Sequence, residues 1–352
     1  MVKKPLFVFI LSSVLLNFVF FHYISSTFAQ VQTDGLDITV SPYVLELSNI
    51  PGSKIQSQIR IRNNLDQQIP LQISVGKLAP NGDSFQPIEA TKDDEFLNWI
   101  TFDQASISAR PKEWTQVKFT LNIPKTAAFG YYYVIRIKQI STGNTQKNTA
   151  AKVLGEVLIP ILLEVKSEGA VASAKIINFK PNSFINEYVP VDFVTQVQNT
   201  GNIHIKPRGN IFIHVAGEND TAILDVNAMQ RNILPGGTRT FTASWDDGFI
   251  VREPVIEDGE IQLDKNKQPI THLVINWNNL THFRIGKYTA NLLLVYDNGK
   301  RDVPLEATTT FWVFPYTIIG IGTVSIIAII LLIRFLIKLA IKRELKKYKS
   351  TA

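Results

Sequence analysis

The sequence predicts an all-β fold: two tandem immunoglobulin-like β-sandwiches, an N-terminal signal peptide, and one C-terminal transmembrane helix with a basic tail. Three observations predict it. Apolar and polar residues alternate through most of residues 30–313, the period of half-buried strands. The order of those strand-like runs occurs twice. Both ends of the chain carry a long uncharged apolar run beside a group of cations.

Met1 to Lys4 is a short basic start, and "PLFVFILSSVLLNFVFF" from Pro5 to Phe21 is apolar. "SSTFAQ" follows, with Thr27 and Ala29 placed like the small residues before a signal-peptidase cut. Residues 1–29 therefore read as a secretory signal cleaved before Gln30. An uncleaved anchor is the other reading, because the apolar run is long for a signal.

The first sandwich is assigned to residues 30–168. "DITVSPYVLEL" is a strand opened by Pro42, and "SKIQSQIRIRNN" alternates Ile55, Ile59 and Ile61 with polar residues. Asn63, Asn64 and Asp66 supply turn chemistry, and "QIPLQISVGKL" returns, as in a hairpin. "EWTQVKFTLNIP", "GYYYVIRIKQI" and "KVLGEVLIPILLEV" complete the set. The second sandwich, residues 169–313, repeats the order. "YVPVDFVTQVQNTGN" leads into "NIFIHVAG", a second Asn-rich hairpin whose Asn and Gly tolerate positive φ. "LPGGTRTFTASW", "GKYTANLLLVYDNG" and "LEATTTFWVF" follow in register with the first copy. Gly130–Tyr132 and Gly286–Tyr288 share a Gly-x-Tyr pattern, which makes Tyr132 and Tyr288 the expected corner tyrosines of the two sandwiches.

The copies differ in one place. Asn63 and Gly130 are 67 residues apart, and Asn199 and Gly286 are 87 apart. The excess falls at 246–279, where "GEIQL" is expected to pair with "THLVINW". This insertion holds Asp246, Asp247, Glu253, Glu257, Asp258, Glu260 and Asp264. A long decorated loop on a rigid sandwich is where binding usually sits, so these seven carboxylates are the candidate partner-binding residues. The competing reading is a solvated acidic loop.

Phe314 to Ile333 is a 20-residue run without charge. At 1.5 Å per residue it spans about 30 Å, the thickness of a bilayer core. Phe311, Trp312, Phe314 and Tyr316 form an aromatic belt where it begins, with Trp312 and Tyr316 as interface residues. In the tail, 334–352, Arg334, Lys338, Lys342 and Lys346 recur every fourth residue, so a continuing helix puts them on one face toward anionic lipid. The positive-inside rule places that tail in the cytoplasm and residues 30–313 outside, a single-pass type I arrangement in the cell membrane. A plain stop-transfer sequence is the simpler alternative.

Composition narrows the function classes. Of 36 Lys and Arg, seven lie at or after Arg334 and two are Lys3 and Lys4. Residues 30–333 hold 27 cations against 29 carboxylates, so the net charge of +6 belongs to the ends and calls for no nucleic acid. There is no cysteine, hence no disulfide frame, thiol nucleophile or Cys-based zinc site. The five histidines, His22, His204, His214, His272 and His282, have no metal-ligand spacing. "DKNKQ" at Asp264–Gln268 alternates oxygen-bearing side chains but lacks the glycine and terminal glutamate of a calcium loop. No nucleophile elbow, phosphate loop or S-x-x-K pattern is present. No catalytic, cofactor-binding or metal site is assigned, and the chain reads as a non-enzyme. "NDT" at Asn219 and "NLT" at Asn279 match glycosylation acceptors.

The stretch "SPYVLEL…PG…IRIRNN", Ser41 to Asn64, together with the order signal, sandwich, sandwich, helix and basic tail, resembles the WxL-interacting protein family of bacterial surfaces, grouped as domains of unknown function 916 and 3324. The first domain also resembles the N-terminal immunoglobulin-like domain of pilus chaperones. The family resemblance implies peptidoglycan binding by the first domain, protein binding by the second, and membrane anchoring by the helix. The expected partners are a cell-envelope protein or peptidoglycan, and membrane lipid through the helix and tail. The expected function is a membrane-anchored surface binding protein. The alternative is a structural or accessory subunit of an envelope complex that interacts through its helix and tail.

Overall fold

The structure is a computed structural model that describes residues 36–140, 155–215 and 221–351, with side chains placed as far as Lys342. The expected signal peptide, Asn219 and the side chain of Lys346 lie outside the described residues.

The chain forms two β-sandwiches in series and one C-terminal apolar helix. In the first, β1 (Ile38–Ser41) and β2 (Leu45–Asn49) come from one apolar run that Pro42 divides. Then follow β3 (Lys54–Asn63), β4 (Ile69–Asn81), β5 (Ser84–Ile88), β6 (Ile100–Phe102), β7 (Ser106–Ala109), β8 (Trp114–Asn122), β9 (Phe129–Gln139) and β10 (Glu156–Val165). One sheet runs β1-β3-β8-β6, and the facing sheet runs β2-β10-β9-β4-β5 with β7 beside β4. The alternation of β3 is physical: Ile59 and Ile61 are fully buried between the sheets while Gln58, Arg60 and Arg62 face water. They meet Leu71, Phe119, Ile135 and Ile161 in one core. Each such side chain contributes about 1.5–3 kcal/mol by leaving water.

The second sandwich contains β11 (Ala174–Pro181), β12 (Ile185–Asn186), β13 (Val191–Asn199), β14 (Arg208–Val215), β15 (Ala222–Val226) and β16 (Thr238–Trp245). The insertion adds β17 (Ile250–Pro254), β18 (Ile256–Glu257), β19 (Glu260–Ile261) and β20 (Thr271–Ile275); β21 (Gly286–Asp297) and β22 (Asp302–Val313) close the unit. Its sheets run β11-β13-β16 and β12-β22-β21-β14-β15. The repeat inferred from sequence is a repeat of pairings. In both copies an opening strand pairs antiparallel with the next long strand (β1 with β3, β11 with β13), and its continuation pairs parallel with the closing strand (β2 with β10, β12 with β22). The second core is more aromatic: Trp245 meets the Tyr288 ring edge-on at 4.9 Å and the Phe311 ring at 5.9 Å.

Three expectations need correction. The Asn-rich joints are not hairpins, because β3 and β4 lie in opposite sheets, as do β13 and β14. Alternation gives a strand's buried face but not its neighbour, so a turn and a crossing between sheets look alike in sequence. The Gly-x-Tyr match is also out of step in the first copy. Tyr133, Ile135 and Ile137 face the first core, so Tyr132 points the other way, and the backbone N–H of Ala128 donates to the Tyr131 hydroxyl at 3.2 Å. Tyr288 does lie in the second core. Finally, "THLVINW" supplies β20, whose partner is β17, Ile250–Pro254, and "GEIQL" instead supplies β19 of a small tip hairpin with β18.

Helix α1 (Tyr316–Thr351) begins three residues after the last strand ends and runs unbroken through the tail. Tyr316–Lys342 is long and apolar enough to cross a membrane, with a mean hydropathy of 2.7. Arg334, Lys338 and Lys342 are exposed along it.

Candidate functional site

The insertion does not gather its carboxylates. Asp247 is held at its base by Arg284 Nη2 at 2.6 Å and by His282 Nδ1 at 2.7 Å. Glu253 sits on β17 opposite His272. Glu257, Asp258 and Glu260 are at the tip hairpin, and the Asp264 carboxylate caps its own turn by accepting from the Asn266 and Gln268 backbone N–H groups. Asp246 is exposed next to Asp247. Among the described residues no group of three or more His, Cys, Asp or Glu is arranged to hold a metal.

Two features escaped the sequence reading. One is the packed seam between the sandwiches. Tyr132, Val134 and Leu162 project from the outer face of β9 and β10, join Leu78 and Phe85, and meet Leu234 of the second unit. The His204 ring stands edge-on to Tyr132 at 5.9 Å. Polar groups rim this contact. Glu46 accepts from Lys206 Nζ at 2.6 Å and from Asn232 Nδ2 at 2.7 Å, and Thr240 donates to Asp83 at 2.8 Å. The Arg239 guanidinium lies over the Phe85 ring at 5.1 Å. Burial lowers the His204 pKa to about 4, with the nearby Glu46 carboxylate only partly offsetting it. Burial opposes ionisation of Glu46, but the bonds from Lys206 and Asn232 outweigh it and hold this carboxyl below its ordinary range. The same bonds keep the seam in register.

The other feature is an open polar groove of about 720 Å³ on the outer face of the first sandwich. Gln56 and Gln58 of β3, Lys118 and Thr120 of β8, and Thr101 and Asp103 beside them line it. Gln116 and Gln58 are hydrogen-bonded side chain to side chain, and the Asp103 carboxylate accepts from the Lys118 backbone N–H at 3.0 Å. Trp114, half exposed at the end of this strip, stacks under Arg60 at 5.3 Å. Amide, hydroxyl and ammonium groups beside an exposed indole suit a polar, hydroxyl-rich ligand. The signal for this in sequence is the polar half of the alternation, on the face opposite the core.

These features define a two-sandwich scaffold with a C-terminal apolar helix. No family model matches the sequence, and no curated protein matches it. Solved structures to which the chain is similar include pilus chaperones and a PapD-like domain of human CEP192. The class 5 fimbriae chaperone CfaA is 13% identical with a TM-score of 0.36, over 78% of this chain and 99% of that one. The YadV chaperone is 8% identical with a TM-score of 0.33, over 78% and 100%. The CsuC–CsuE chaperone–tip adhesion subunit complex of Acinetobacter baumannii is 11% identical with a TM-score of 0.33, over 58% and 89%.

Proposed function

We propose that this chain is a non-enzymatic binding protein of a bacterial cell surface, anchored by α1, whose sandwiches engage a wall component, either peptidoglycan or a WxL-type protein. The division into sandwiches at 30–168 and 169–313 and a type I topology belong to this reading. The observation that carries it is the groove on the first sandwich, which offers Gln, Thr, Lys and Asp side chains in an open strip beside Trp114. The acidic insertion is a second place for a partner, with Glu257, Asp258 and Glu260 exposed at its tip toward a basic surface.

The test is cosedimentation of the full-length chain with purified peptidoglycan, paired with capture of a WxL-type exported protein. Gln58→Ala combined with Lys118→Ala is expected to abolish wall binding and leave the fold intact. Exchanging Tyr316–Lys342 for an unrelated apolar helix is expected to leave both interactions unchanged. Loss on helix exchange, with no effect of the groove variant, supports the accessory-subunit reading instead. Binding to neither partner overturns the proposal.

A further inference from the structure

We infer that the helix-proximal end of the second sandwich is a lipid-binding foot, seated in the headgroup region of the bilayer that α1 crosses. The inference rests on the anchor reading and adds a second membrane contact to it, made by the sandwich itself. Two separate segments bring large apolar side chains to this end. Phe184 and Ile185 arrive at the start of β12, and Trp277, Leu280, Phe283 and Ile285 arrive between β20 and β21. All six are more than half exposed. They are placed beside the start of the helix by named contacts. Ile185 is in register with Trp312, and the Trp312 backbone N–H donates to the Phe184 carbonyl at 2.8 Å. Phe283 and Ile285 share an apolar pocket of about 210 Å³ with Pro315 and Ile318 of the helix start. Phe249 bridges Phe283, at 4.6 Å, to Trp277, at 5.7 Å.

The depth follows from connectivity. Only Phe314 and Pro315 separate β22 from α1, and the helix rises about 1.5 Å per residue. Side chains touching Pro315 and Ile318 therefore lie at the level where the apolar run enters the membrane. Amphipathic surfaces at that level sink about 5–10 Å into the boundary between headgroups and acyl chains. The charges there suit lipid. Glu187, whose carboxylate accepts from Thr317 N–H at 3.3 Å, is held by Arg252 at 3.0 Å, and Asp247 is held by Arg284 at 2.6 Å. Lys287 stands opposite Trp312 at the rim, placed to meet a lipid phosphate. The far end of the same strands is different: the β21–β22 turn is Asp297, Asn298, Gly299, Lys300 and Arg301, polar throughout. Six exposed large apolar residues gathered at the end tied to the helix are the distribution a membrane contact requires.

The absence of cysteine makes the test direct. Single nitroxide labels are placed at Leu280→Cys, Ile285→Cys, Lys300→Cys and Ile327→Cys in the full-length chain. Each variant is reconstituted into vesicles of phosphatidylcholine and phosphatidylglycerol, and collision with oxygen is compared with collision with a water-soluble nickel chelate. The expected result is oxygen-favoured access at Leu280 and Ile285, as at Ile327, and nickel-favoured access at Lys300. Oxygen-favoured Ile327 with nickel-favoured Leu280 and Ile285 overturns the foot and leaves the anchor standing. Nickel-favoured Ile327 removes the anchor and the foot with it. Labels at 280 and 285 shielded from both reagents show protein covering this end, which also overturns the proposal.

Discussion

Two buried asparagines do the same work in the two sandwiches. The Asn63 amide donates to the carbonyls of Gln67 at 2.7 Å and Ala109 at 3.0 Å, and its oxygen accepts from Leu65 N–H at 2.9 Å. Asn199 donates to the carbonyls of Ile203 and Ile233, both at 2.8 Å, and accepts from Gly201 N–H at 2.8 Å. Both are fully buried. Each fastens the crossing between sheets to a distant segment of its own sandwich. Asn63→Ala and Asn199→Ala are each expected to cost about 1–3 kcal/mol per carbonyl left without a donor, seen as a lower denaturation midpoint. Asn→Asp at either site is expected to cost more, because an anion then faces two carbonyls. The sequence showed these residues as turn formers, which they are; their remote partners, 46 and 34 residues away, have no local signal. His204 makes the second prediction at this scale. Its folded pKa of about 4 lies below the ordinary 6.5, so the unfolded chain binds the extra proton between those values. Stability is therefore full above pH 6.5 and falls by roughly 3 kcal/mol as pH drops toward 4. Glu46, whose pKa is lowered, contributes its own loss only below the ordinary carboxylate range, so the slope between pH 5 and 6.5 belongs to His204. Denaturation of His204→Gln across that window is expected to give a flat profile.

At the scale of elements, alternation revealed most of the strands but not how they pair. It placed Ile59 and Ile61 inside, and the Gly-x-Tyr pattern placed Tyr288 there. It missed that Tyr132 serves a different layer from Tyr133, because a strand covered on both faces carries apolar residues at successive positions. The insertion teaches the same lesson. Its base is part of the second core: Val251 is buried there, and Arg252 N–H donates to the Val189 carbonyl at 2.8 Å. Its tip has no such ties, and Pro254 stands directly opposite Thr271. Replacing Val255–Ile270 by an Asn-Gly turn is expected to leave the melting temperature unchanged, since loop length enters stability only logarithmically. A deletion starting at Gly248 removes Val251 and is expected to cost about 1 kcal/mol or more. Comparing the two thermal transitions checks this, and the tip deletion then separates a partner-binding role of Glu257, Asp258, Glu260 and Asp264 from a structural one.

At the scale of the whole molecule, the plan of two repeated sandwiches and one apolar helix was legible, because repeats and long apolar runs are properties of order and composition. The surfaces were not, because they assemble from strands far apart in the chain. The charge cluster from Arg334 to Lys349 predicts a cytoplasmic tail. Protease added to intact cells is expected to remove residues of the sandwiches and spare an epitope placed after Ala352; the reverse pattern shows inverted topology. The direct passage from β22 into α1 has one further consequence, which is mechanical. With α1 as the proposed anchor, tension between a bilayer and the first sandwich would pull β22 along its own length. Its twelve-residue ladder with β21 crosses that line of pull, so the hydrogen bonds resist together in shear rather than parting one at a time as in a zipper. The strand that joins the helix is thus loaded in the direction in which a sheet is hardest to tear.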